Sequence, residues 1–133
     1  MSLEAAIRTM ITNGATVSLV PDARVTHGYR LQDSALPAIT YEVVSVETIS
    51  AGSSQTGRIK RADVTVNAIA LEAVDALAIA AQVALASVPG TYSGVVFSAV
   101  IYGGHYAEAA TAADGDEAEP AIAVSQMRIF YTE

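Results

Sequence analysis

Residues 70–88, ALEAVDALAIAAQVALASV, constrain this chain more than any other stretch. Ala and Leu are the best helix formers, and Pro89-Gly90 supplies a hard stop. On a helical projection Glu72, Asp75, Gln82 and the small Ala86 share one narrow stripe, interrupted by Ile79. The rest of the surface is Leu71, Val74, Leu77, Ala78, Ala81, Val83, Ala84, Leu85 and Val88. A surface helix carries an apolar stripe of roughly 100°, and this one is apolar over far more. It has to be covered on more than one side. Its own sheet is one cover, and a neighbouring subunit is the expected second. Ala81→Glu is therefore predicted to abolish the fold or the assembly; normal folding and assembly would place that side in water.

The chain has 133 residues, which reads as one domain, 1–133, long enough to bury a core. Apolar residues make up 52% and charged residues 16%, a globular rather than a disordered composition. Glu72 and Asp75 argue against a membrane span at 70–88. The opening MSLEAAIRTM lacks the basic start and long apolar run of a secretion signal. There is no Cys, which excludes disulfides and thiolate metal sites and fits a cytosolic origin. The net charge of −7 repels nucleic acid unless the few basic residues cluster. Arg58, Lys60 and Arg61 form that one cluster.

Ser2 is positioned to cap a first helix over residues 3–12, with Leu3, Ala6, Ile7, Met10 and Ile11 on one face. A short strand is expected at 16–20, and a second within the poorly patterned connection 23–36, at 24–27. Pro37 introduces a clear strand over 39–49, with Val44 and Val46 on one side and Tyr41, Val43 and Ile49 on the other. A Gly/Ser loop, SAGSSQTG, fills 50–57. Strand 58–69 has the best alternation, Ala62, Val64, Val66 and Ala68 against Arg61, Asp63, Thr65 and Asn67. These two strands read as an antiparallel hairpin. The run 94–102, GVVFSAVIY, is apolar on both faces and so expected to be central, with Gly103-Gly104 breaking it. An acidic loop covers 108–119. A last strand, 121–131, slips in alternation near Ser125-Gln126, which suggests a bulge. The expected fold class is α+β: a single antiparallel sheet of four to five strands, with the N-terminal helix and the long Ala-rich helix packed on one face.

Chemistry is hard to find in these residues. His27 and His105 sit in loop-like contexts without metal-ligand spacing and read as exposed loop histidines. No serine sits in G-x-S-x-G, and the glycine-rich stretches match no phosphate or dinucleotide pattern. Asp114-Gly115-Asp116-Glu117 superficially resembles a calcium loop but has its glycine in the wrong place. Arg58, Lys60 and Arg61 lack interleaved aromatics and read as a solvated strand edge paired with acids. Tyr41, Tyr92, Tyr102, Tyr106 and Tyr131 fit sheet edges or a protein interface. No enzyme activity, cofactor or metal is expected. A subunit of an assembly fits better.

The order of motifs has a counterpart. Leu36, Pro37, Ile39, Thr40 and Tyr41 spell an L-P-x-I-T-Y strand entry; ADVTVNAIA (62–70) runs directly into the Ala-rich helix ending ALASVPG (84–90). An apolar strand, an acidic loop and a terminal strand follow. This pattern resembles the tail-terminator, or tail-completion, proteins of long-tailed bacteriophages and phage-like particles, across nearly the full chain. The resemblance implies a structural virion protein, made in the host cytoplasm, that forms a ring of six copies. Such a ring caps the tail tube and joins it to the head-side connector. The partners implied are other copies of the chain, the tube protein and the connector or neck proteins. No sequence-specific nucleic-acid contact is implied, although DNA passes through the lumen.

In that setting Ser53, Ser54, Gln55, Arg58, Lys60 and Arg61 are candidates for docking on tube or connector, and Ala78, Ala81 and Leu85 for subunit contact. Glu108, Asp114, Asp116, Glu117 and Glu119 are candidates for an acidic lumen past which DNA slides, or for a face toward another virion protein. Two other readings compete. One is a different ring protein of the neck or tail, such as a head–tail joining protein or the tube subunit, the latter with more of its chain in strands. The other is a small ligand-binding or enzymatic α+β domain, which requires an enclosed pocket with convergent polar groups.

Overall fold

The computed structural model describes residues 2–13, 19–20, 24–28, 36–49, 59–108 and 121–132, with only the backbone of Glu108. Helix α1 (Leu3–Ile11) starts where Ser2 accepts a hydrogen bond from the Ala5 amide at 3.1 Å. Its apolar face, Leu3, Ala6, Ile7, Met10 and Ile11, is buried as the spacing requires. The strand expected at 16–20 falls mostly outside the described residues; of the two it contains, Leu19 is helical and Val20 lies in a bend.

Strand β1 (Val25–His27) runs parallel to β2 (Ala38–Thr48), so the sheet is not wholly antiparallel as expected. The β2–β3 pair is the expected antiparallel hairpin, with β3 (Lys60–Ala70) in register from Ala38↔Ile69 to Thr48↔Lys60. Helix α2 (Ala73–Ala86) begins three residues later than the apolar run suggested. Glu72 at its start makes no side-chain capping bond. Strand β4 (Gly90–Tyr92) turns back into β5 (Val95–Glu108) through Ser93 and Gly94, both at positive φ, and this two-residue reversal matches the twist of the strands it joins. Strand β6 (Ala121–Thr132) pairs with both β3 and β5.

The sheet order is β1-β2-β3-β6-β5-β4. Both three-residue strands, β1 and β4, lie at its edges and bring the number of strands among the described residues to six. Both helices cover one face, and a single cluster joins their buried residues to Ile39, Tyr41, Val64, Val66, Phe97, Met127, Ile129 and Tyr131. Phe97 anchors the end under β4, with Tyr92 at 5.1 Å and Tyr131 at 6.4 Å between ring centroids.

Three expectations about strands need correction. Strand β5 does not stop at Gly103-Gly104 but continues to Glu108, and it is not central. Beyond the short β4 its outer edge is the edge of the sheet. The bulge expected in β6 lies instead on β5, where Tyr102–His105 opposes Met127–Ser125 with one residue to spare. Gly104, at φ +96°, takes the conformation that this insertion demands. Strand β6 keeps an unbroken register with β3, and Ala121, Ala123, Ser125, Met127, Ile129 and Tyr131 are all buried, with Val124 buried from the other face. Ser125 broke the apolar pattern in sequence because it is a buried hydroxyl with a partner, described below.

Candidate assembly surfaces

Helix α2 buries one side of mixed size against the sheet. Ala76, Ile79, Ala80 and Val83 are buried, and the two alanines let the helix backbone approach the sheet closely. Ile79 belongs to this buried face rather than to a polar stripe. Two aliphatic residues of similar size to Ile79 and Val83 are nevertheless turned outward: Val74 is 67% exposed and Leu85 72%. Ala78 and Ala81 lie exposed between them, with Leu71 (73%) just before the helix and Val88 (46%) just after. Val74, Ala78, Ala81 and Leu85 recur every three or four residues, so they form one continuous stripe. Beside it opens a cavity of about 280 Å³ whose walls include Leu19, Leu36, Pro37, Leu71 and Ile79.

The other surface is the outer face of the sheet, away from both helices. Across β3 it carries a ladder of charge. The Arg61 guanidinium donates to Glu47, and Arg128 Nε donates to Asp63 at 2.9 Å, while Ser45 Oγ donates to the other Asp63 oxygen at 3.1 Å. The Arg128 bond is the main reason that the Asp63 carboxyl is held below its ordinary range; partial burial opposes it and Ser45 assists. Farther along, on β5 and β6, the same face becomes apolar. Val96 and Ile101 are 46% and 56% exposed, with half-buried Phe130 beside them, and Tyr106 is exposed beyond the two glycines. A depression of about 440 Å³ separates the two zones, with Asp63, Arg128, Ile101 and Gly103 among its walls. It is open and of mixed polarity, without an enclosed cluster of convergent polar groups.

On the core side, Tyr102 Oη lies 2.8 Å from Ser125 Oγ and 2.9 Å from His105 Nδ1. One phenolic proton serves only one of these acceptors, so the phenol donates to one partner and accepts from the other. Burial pushes the Tyr102 phenol up, and the Ser125 bond partly offsets this. His105 is thus part of a strand rather than of a loop. His27 too lies in a strand, against the Tyr41 ring at 5.3 Å. Among the described residues no group of three acidic or histidine side chains is placed to hold a metal ion. No helix among them is long and apolar enough to cross a membrane.

Of the residues singled out from sequence, Ala78, Ala81 and Leu85 come together on the outward stripe. Arg61 sits on the outer sheet face, paired with Glu47, and Lys60 starts the same strand. Ser53, Ser54, Gln55 and Arg58 lie outside the described residues, as do Asp114, Asp116, Glu117 and Glu119; Glu108 ends β5. Sequence reasoning missed the apolar zone at Val96, Ile101 and Tyr106. Its signal was present, since 94–102 is apolar on both faces, but the outward face was assigned to the interior of this sheet.

No family model matches the chain, and no curated protein matches it. Solved structures do. A chain of the virion of a native gene transfer agent particle superposes with a TM-score of 0.70 at 19% identity, covering 99% of this chain and 96% of that one. A second solved chain gives a TM-score of 0.52 at 15% identity over 96% and 92% of the two chains. At these identities the likeness is one of fold.

Proposed function

We propose that the protein is a structural component of a phage-like virion, without enzymatic activity. Its 133 residues act as one unit in a ring of six copies that ends the tail tube and joins it to the head-side connector. The observation that carries this reading is the match of fold, nearly end to end, with a chain of a gene transfer agent virion. The protomer supports it independently. It leaves a continuous aliphatic stripe on α2 in the open, together with a second apolar zone on the opposite layer. A ring built by rotation uses two different patches on every copy, and the protomer offers two.

Other copies, the tube protein and the connector are the partners. The acidic residues Glu108, Asp114, Asp116, Glu117 and Glu119 suit a lumen that lets DNA slide, because a basic lining would capture phosphates. Ser53, Ser54, Gln55 and Arg58 supply the tip that docks on the tube or the connector.

A second reading, another ring of the neck or the tube itself, draws on the extent of strand. Among the described residues, four of the six strands are eleven residues or longer, against helices of nine and fourteen. Electron microscopy of purified particles carrying an epitope-tagged copy separates the two. Label confined to a single ring at the head-proximal end of the tail supports the terminator. Label along the whole tail identifies a tube subunit, and particles without label overturn the virion reading.

A further inference from the structure

The α2 stripe and the apolar zone of the outer sheet face lie on opposite layers of the protomer. We infer that the two meet between copies: the outer face of β5 and β6 in one copy receives the α2 stripe of the next. The sheet of each copy is then covered by its own helices on one side and by a neighbour's helix on the other. The inference rests on the ring reading and names the contact that builds the ring.

An antiparallel sheet with one face on the core normally presents polar residues on the other. Here Val96 and Ile101 project there, next to Phe130 and with Tyr106 farther along. A second layer is what such a face lacks. The stripe and the zone differ in shape and residue type, as a head-to-tail contact needs. Monomeric proteins rarely leave contiguous apolar patches of more than a few hundred Å² exposed.

Charge agrees with this pairing. Glu72 and Asp75 are exposed at the N-terminal end of α2, beside the stripe rather than on it, and the helix has no basic residue in its last turn. The sheet zone has Arg128 directly across from Ile101, with its side chain 48% exposed. Arg128 contacts Asp63 through Nε, and a guanidinium carries five donors. Pairing through strand edges is less suited. Bulges between Phe97 and Ala99, between Tyr102 and His105, and between Val43 and Ser45 interrupt the long edges of β5 and β2.

The test uses two exposed positions in the full chain, Val74→Glu and Ile101→Glu, with Leu85→Lys and Val96→Lys as replacements should either fail to fold. Light scattering coupled to size exclusion reads the mass. Wild type is expected as a closed ring and each variant alone as a monomer. An equimolar mixture should double the monomer mass, because one intact stripe then meets one intact sheet zone. The inference is overturned if both variants keep the ring. It is also overturned if Val74→Glu alone dissociates it, which would show helices pairing with helices about a two-fold axis. A wild type that is monomeric at every concentration overturns both the contact and the ring. Correct complementation, with no label at the tail end of particles, overturns only the tail-end role.

Discussion

Asp63 and Ser125 show what individual residues contribute on the two faces of the sheet. Asp63 is held in its charged form chiefly by Arg128, so its folded pKa lies below the unfolded one. The stabilisation is therefore present above the ordinary carboxylate range and is lost as pH falls through the folded value. Asp63→Asn is expected to lower the melting temperature slightly at pH 7, by an amount that shrinks as pH falls through and below the ordinary carboxylate range. Solvent screening keeps such an exposed pair to about 0.5 kcal/mol, and differential scanning fluorimetry across pH reads the convergence. Ser125 is almost fully buried and bonded to Tyr102. Ser125→Ala should cost about 1 kcal/mol, seen as a lower denaturant midpoint with an unchanged slope. Ser125 also marks where residue types mislead. A serine amid apolar residues looks like a slip in strand pairing, whereas here it is a satisfied polar group in an unbroken register with β3.

Elements were legible in sequence to the degree that only one of their faces could be buried. Strand β3 has one wet and one apolar face, so Ala62, Val64, Val66 and Ala68 declare their direction, and the structure buries all four. Helix α1 likewise has a single apolar side. Helix α2 is apolar nearly all round, so its pattern fixes a helix but not its orientation. Packing decides, and it buries the side of Ala76, Ile79, Ala80 and Val83 rather than the equally small side of Val74, Ala78, Ala81 and Leu85. Strand β5 fails for the same reason: two apolar faces suggested a central strand, and its place near the edge depends on partners far away in sequence. The short parallel pairing of β1 rests on three residues with no distinctive pattern. Adjacent alanines on α2 give a sharp test. Ala80→Glu, at a fully buried site, should unfold the protein or cost several kcal/mol. Ala81→Glu, on the exposed stripe, should keep the folded circular dichroism spectrum and a cooperative melt as a monomer while abolishing assembly. Equal loss of fold in both variants would contradict the orientation of the helix.

At the scale of the whole molecule, the proposed assembly must overcome its own charge. Each copy carries −7, so every contact in a ring brings like-charged bodies together. Two such copies with centres about 30 Å apart repel by roughly 7 kcal/mol in water without salt. With a screening length of about 8 Å at physiological ionic strength, most of that repulsion disappears. An exposed attraction between Arg128 and the acids of a neighbour's α2 contributes about 1 kcal/mol at most, and salt weakens it too. The apolar part of the contact is insensitive to screening. Repulsion is thus the largest salt-dependent quantity, and assembly should strengthen as salt rises. Sedimentation velocity at fixed protein concentration, from about 20 to 500 mM NaCl, should show the ring fraction climbing. The same comparison at pH 5, where acids begin to lose charge, should need less salt to reach the same fraction. A ring fraction that falls with salt would mean that ion pairs, not the aliphatic residues of the stripe and the sheet, hold the copies together.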